Sequence, residues 1–249
     1  QLLRDGPPFL REHAAWALAG SPPLPEALGL LRGLAAAGGF TGTLAEATLE
    51  AWGAGPGAAS VGPAPRPGRT ASGITVAQLF LHADIDGTLS HAGQGDTGGI
   101  ATLLVHLGDA LLAGHPGIAR VLTLSRGRPG DEPDWARVAG PGHHYLSIPL
   151  PGPFVHAPDA WPLRTAVRDG LRHLLRAAAP VDVLHLRMAD VASWAAAGVA
   201  RDLGIPIVVT LAPDPHALIA AREAAGTLDR TTFGAADLAE HLVFRVRLL

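Results

Sequence analysis

From Ile74 onward the chain alternates short, almost wholly apolar runs with longer segments of helical periodicity, and this alternation restricts the fold more than any other feature. "VAQLFLH" (76–82), "ARVLTLS" (119–125), "HYLSIPL" (144–150), "VDVLHL" (181–186) and "IPIVVTL" (205–211) read as five strands. Between them, 98–113 sets Ile100, Leu103, Leu104, Leu107 and Leu111 at helical spacing, 163–179 is amphipathic with arginines on its wet face, and 190–203 is a helix closed by Gly204. Strands this apolar, separated by helices, predict an α/β fold with a Rossmann-like parallel sheet covered on both faces. Ligands of such sheets sit at the carboxyl ends of the strands. The segments to search are therefore 82–99, 125–130, 185–190 and 211–216.

The flanking regions read differently. Residues 1–55 carry two apolar clusters, around Phe9 to Leu18 and Leu28 to Leu34, separated by breaks at 20–23 and at Gly38-Gly39, and predict a small helical appendage. "LREHAAWALAG" faintly resembles a HEAT-type repeat unit. Residues 56–73, dense in Gly and Pro, read as a linker. The stretch 226–249 reads as helical and still periodic at Leu249, which predicts continuation toward a further domain.

Composition narrows the chemistry. The 249 residues carry a net charge of −3 and no lysine, which argues against a nucleic-acid binder. With 48% hydrophobic residues the chain can bury a core, yet no apolar run approaches the 18 residues a membrane span requires. No signal peptide opens the sequence, so a cytoplasmic location without a membrane partner is expected. Zero cysteines exclude disulfides, thiolate metal sites and cysteine nucleophiles. Most of the 12 histidines, among them His115, His143, His144 and His156, read as solvent-facing. A zinc site from His82, His91 and His185 lacks any close-spaced histidine pair, and no metal is expected.

The loop after the first strand holds the richest motif. Gly98 and Gly99 open a helix whose free N–H groups favour an anion, with Asp96 or Thr97 as N-cap. The G-x-G-x-x-G fingerprint of dinucleotide folds is absent, so no nicotinamide cofactor is indicated. "DIDGTLS" (84–90) matches the first motif of haloacid-dehalogenase-type phosphatases, in which the first Asp (here Asp84) is the nucleophile and the second (Asp86) the acid/base. Ser125 and Arg126 fit the middle roles, but the later acidic pair for magnesium has no counterpart: 181–186 leads only to Asp190, and the acids of 130–134 are wrongly spaced.

Five segments in order, from Val76 to Ala225, resemble the N-terminal lobe of retaining GT-B glycosyltransferases, most closely the sucrose-phosphate synthase and sucrose synthase group. "LFLHADIDG" takes the place of the first strand and its "SLHG" turn. "GQGDTGGIATLLVHLGDAL" is similar to "SDTGGQ…VVELARAL", "PGIARVLTLSRG" to "G…RVDLLTRQ", and "HHYLSIPLPGP…AWP" to "RIPFGP…LWP". "VDVLHLRMADVASWAAAGVARDLGIPIVVTLAPDP" resembles "PDVIHGHYADAG…A..LGVPLVLTGHSLG".

The resemblance implies a lobe that holds the acceptor, facing a C-terminal lobe that holds most of a nucleotide-sugar. That nucleotide-sugar is a co-substrate; no cofactor is implied. His185 and Asp190 fall at catalytic positions; Thr97, Gly98 and Gly99 at the donor phosphate; His82, Asp84, Asp96, Arg126, Arg187 and His216 on the acceptor side. Arg126 matches the arginine of "LLTRQ", which helps bind a sugar phosphate, and Arg245 and Arg247 fall where further arginines lie on a helix. The sequence departs from the family at Ala212 and Arg187, where histidines are usual, and His216 with Asp214 is a possible replacement for the first. A non-catalytic sugar- or nucleotide-binding lobe is the remaining alternative.

Overall fold

The computed structural model describes residues 1–54, 73–90, 98–127, 133, 135–150, 152–155, 157–211 and 214–247. The linker residues 55–72, His91, Asp96, Thr97, the acids of 130–134, His156 and Ala212 lie outside the described residues. The chain forms two compact units.

The first unit is helical. It contains α1 (Leu2–Asp5), α2 (Pro8–Ala17), α3 (Pro25–Ala37) and α4 (Gly39–Ala51). Prolines occupy the first helical position of α2 and α3, where a missing N–H costs nothing. Gly38 and Gly39, at φ 74° and 69°, make the α3–α4 corner in a conformation that a side chain would resist.

The second unit is a five-stranded sheet with its helices: β1 (Ile74–Phe80), α5 (Gly98–Gly114), β2 (Ile118–Gly127), α6 (Trp135–Val138), β3 (Gly142–Pro149), α7 (Arg164–Ala177), β4 (Val183–Leu186), α8 (Val191–Leu203) and β5 (Ile207–Val209). All five strands are parallel, in the order β3-β2-β1-β4-β5. Each strand expected from the apolar runs is present, with ends displaced by at most two residues. α8 is stopped at both ends by local chemistry. Asp190 accepts from the Ser193 N–H at one end, and Gly204 turns left-handed at φ 66° at the other.

One face of the sheet carries the larger core. Leu79, Leu122, Leu124, Leu146, Ile148, Leu184 and Leu186 pack there with Val167, Leu171 and Leu175 of α7 and Ala195, Ala196 and Val199 of α8. The opposite face is covered by α5 through Ala101, Leu104 and Val105 against Phe80 and Ile85. At the amino end of the sheet Arg120, 7% exposed, donates to Thr75 Oγ1 and to the carbonyls of Val138, Ala178 and Pro180.

Three further helices, α9 (Pro215–Ala224), α10 (Phe233–Glu240) and α11 (Leu242–Arg247), belong to the helical unit. This departs from the sequence reading in two ways. Residues 215–225 separate from the α/β unit, and the helix expected through 249 is broken at His241. His241 sits at φ 54° as the C-cap of α10, and the Val243 N–H is taken by Asp237 Oδ1, so a new helix begins. The break is set by tertiary contact: the His241 ring stacks on Phe40 of α4 at 3.6 Å, and Phe244 packs edge-on to Trp16 and Phe40. His13 Nε2 bonds Asp237 Oδ2 at 3.1 Å beside the buried Glu12. Burial, reinforced by Asp237, pushes the Glu12 carboxyl up to about 7, and burial pulls His241 down to about 4.

Candidate functional site

From β1 the chain winds outward to β2 and β3, then returns past β1 to β4 and β5. The reversal leaves β1 and β4 adjacent, with their following loops diverging, and this is where ligands enter doubly wound sheets. The β1 loop starts at His82 and the β4 loop runs from Arg187 to Asp190. His82 Nε2 and Asp190 Oδ2 are 2.6 Å apart, with both side chains largely buried. A carboxylate only accepts, so Nε2 carries the proton and the imidazole is held in one tautomer and orientation. Asp190 Oδ1 meanwhile caps α8 through Ser193. The aspartate therefore ties the β1 loop to the first turn of α8.

The rest of the β1 loop is fixed from β2. The Ile85 N–H donates to the buried Ser125 hydroxyl at 3.1 Å, and the Arg126 N–H donates to the Ala83 carbonyl. Asp86 closes its own turn, accepting from the N–H and hydroxyl of both Thr88 and Ser90. Desolvation, the largest single influence, raises its carboxyl, but these four bonds together hold it below the ordinary range. Gly87 lies against the Tyr145 ring, where a Cβ would come within 3.0 Å. Asp84 is half-buried in the same loop.

On β4, His185 pairs in register with Gln78 of β1, and its Nε2 meets Thr210 Oγ1 at 2.8 Å beyond β5. Burial and the positive charge of Arg187 both draw the imidazole below 6.5, so it is neutral at neutral pH. Arg187, 8% exposed, has a buried Nε with no hydrogen-bond partner among the described residues. Gly98 and Gly99 begin α5 as expected. A Cβ at Gly99 would meet nothing within 4 Å, so neither packing nor backbone conformation requires glycine there.

The structure thus brings together His82 with Asp190, and His185 with Arg187. It separates others. Arg126 is 5% exposed, and its guanidinium donates to the carbonyls of Gly152 and Pro153 while lying 5.0 Å from the Phe154 ring centroid, so it braces the loop after β3 instead of presenting a free fork to phosphate. His216 is exposed on α9, and Arg245 lies on α11, both in the helical unit. The side chain of Arg247 lies outside the described residues. Of the zinc candidates, His82 and His185 serve separate partners and His91 lies outside the described residues; among the described residues no three His, Asp or Glu side chains group as metal ligands.

One polar chain escaped the sequence reading altogether. His143 and His144, expected in solvent, are buried. His143 Nδ1 meets Asp109 Oδ1 at 2.8 Å and the Tyr145 hydroxyl at 3.0 Å, and Nε2 meets Thr123 Oγ1 at 2.7 Å. Gln78 Nε2 donates to the same Thr123 oxygen and to Leu104 O. Donor counting orients the chain: Gln78 N–H to Thr123, Thr123 O–H to His143 Nε2, His143 Nδ1–H to Asp109. Thr123 is fully buried, so this arrangement fastens α5 to the sheet and offers no nucleophile. Gly108 was the available signal. A glycine costs about 1 kcal/mol inside a helix, and here a Cβ would sit 2.3 Å from the His143 ring.

No helix among the described residues is long and apolar enough to cross a membrane. No protein-family model matches the chain, and no curated protein matches its sequence.

Proposed function

We propose that the α/β unit is the acceptor-side lobe of a retaining GT-B glycosyltransferase. It would present a sugar or sugar-phosphate-like hydroxyl to a nucleotide-sugar held mainly by a second, C-terminal lobe. The observation that carries this reading is the His82–Asp190 pair at the reversal of the sheet. An imidazole with one nitrogen pinned by a buried carboxylate is preorganised to orient a hydroxyl group. His185, neutral and two residues from Arg187, lines the same strand end. Gly99, with open space where a side chain would be, leaves the α5 N-terminus approachable by a phosphate. In the transfer, the acceptor oxygen bonds to the anomeric carbon as the bond to the nucleoside diphosphate breaks, and the acceptor proton leaves with the diphosphate or solvent.

Asp86 weighs against the phosphatase alternative. Four hydrogen bonds from its own turn favour the carboxylate, which is the wrong form for a general acid. The test is a titration of the 249-residue chain, with histidine resonances observed by NMR. Neutral hexoses and hexose phosphates are expected to perturb His82 and His185. Nucleotide-sugars should bind only in the millimolar range, since most phosphate contacts lie elsewhere. Micromolar nucleotide-sugar binding to this chain would contradict the two-lobe assignment. Magnesium-dependent phosphate release abolished by Asp84→Asn would replace it with the phosphatase.

A further inference from the structure

Three arginines among the described residues are less than a tenth exposed, and two of them are engaged by the protein. Arg120 donates to three carbonyls and a hydroxyl, and Arg126 donates to two carbonyls and lies over an aromatic ring. Arg187 is the exception. Among the described residues it makes no hydrogen bond or ion pair, and its Nε is buried. The nearest carboxylate in sequence, Asp190, is engaged by His82 and Ser193. Arginine does not escape burial by losing its proton, so the fold carries a largely buried cation with no carboxylate opposite it among the described residues.

The position of Arg187 gives that charge a use. It follows β4 at the carboxyl end of the sheet, close enough to His185 for its charge to depress that imidazole. α8, thirteen residues long, begins four residues later. Arg187 thus lies four residues before the positive end of α8, and the local carboxylate is taken up by His82 and Ser193.

We infer that Arg187 is an oxyanion subsite, and that the small molecule held beside His82 and His185 carries a phosphate or carboxylate group that the guanidinium grips as a fork. This rests on the acceptor-lobe reading for the identity of the molecule as an acceptor, but not for the anion. An anion here completes the coordination left open among the described residues, and the His185 imidazole gains a negative neighbour that offsets the positive one.

The experiment uses the whole 249-residue chain in buffer free of phosphate, sulfate and carboxylates. Inorganic phosphate, glucose 6-phosphate, glucuronate and glucose are each titrated while His185 is observed by NMR and the melting temperature is recorded. Phosphate and glucose 6-phosphate, or glucuronate if the group is a carboxylate, should raise the melting temperature and move the His185 titration upward. Arg187→Leu should weaken that anion at least about tenfold, the order expected from losing a charge-assisted bidentate contact. Arg187→Lys should fall between the two. With no anion present, Arg187→Leu should melt at the same or a higher temperature than wild type, because it removes an unpaired buried charge. A structural arginine would give the opposite sign.

The inference is overturned if none of the three anions shifts His185, or if anion binding survives Arg187→Leu unchanged. Should Arg187→Leu not fold, the wild-type titration and Arg187→Lys still decide. Anion binding at Arg187 without sugar transfer in any assembly would sink the glycosyltransferase reading and leave this subsite standing. Transfer to neutral glucose with no anion binding would do the reverse.

Discussion

Asp190 holds His82 with one carboxylate oxygen, at 2.6 Å, and the first turn of α8 with the other. The two residues are 108 positions apart in the chain, and adjacency of β1 and β4 alone brings them together. This makes one side chain answerable for both a loop position and a helix start. Its replacements separate the two roles.

Asp190→Asn keeps an oxygen for Ser193 but sets an amide against the His82 N–H. The cap should survive, and the imidazole should either switch tautomer or lose its partner, at a cost of about 1.5–3 kcal/mol for a charge-assisted bond. Asp190→Ala should cost more, since a lost N-cap adds roughly 0.5–2 kcal/mol. Urea denaturation of both variants, with imidazole nitrogen shifts for the first, measures the difference.

Two glycines of α5 should behave in opposite ways. Gly99→Val meets open space and a permissive backbone, so the melting temperature should stay within a few degrees of wild type. If the acceptor-lobe assignment holds, transfer in the assembled enzyme should nevertheless be lost, because a branched side chain blocks the α5 N-terminus. Gly108→Ala drives a methyl into the His143 ring and should destabilise by about 1–3 kcal/mol with any activity retained per folded molecule. Paired melting curves and assays check both.

Arg120→Met should be among the most damaging substitutions in the α/β unit. It leaves the carbonyls of Val138, Ala178 and Pro180 and the Thr75 hydroxyl without their donor. Orphaned buried acceptors cost roughly 1–3 kcal/mol each, so a loss of at least about 3 kcal/mol, or failure to fold, is expected by guanidinium denaturation.

The helical unit should carry its own pH dependence. The Glu12 carboxyl rises from 4.5 to about 7 on folding, so its contribution is full below pH 4.5 and is lost as pH rises to about 7. His241 falls from 6.5 to about 4, so its contribution is full above pH 6.5 and is lost as pH falls to about 4. Between pH 4.5 and 6.5 the two slopes oppose each other, and folding transfers a proton from histidine to glutamate with little net uptake. Glu12→Gln, which mimics the protonated form, should raise the melting temperature of this unit at pH 8 and change it little at pH 4.5. An equal effect at both pH values would mean that Glu12 stays ionised in the fold.

The sequence by itself determined the five strands, the helices between them and the glycine that closes α8. Each is specified by residues within a few positions of one another: apolar runs long enough for a strand, apolar residues at helical spacing, a glycine where the backbone turns left-handed. The carboxyl-end loops were also legible, because a parallel sheet orients all its strands alike, and that placed His82, Asp190, His185 and Arg187 among the candidates. What only the tertiary structure decided is which of these polar groups meet. The strand order set His82 against Asp190, turned Arg126 inward onto the loop after β3, buried His143 under α5 and brought Asp237 to His13 across 224 positions. A polar side chain has no periodic signature for its partner, since its cost or benefit depends on what lies opposite once water is gone, and that is fixed only when the strands have chosen their neighbours.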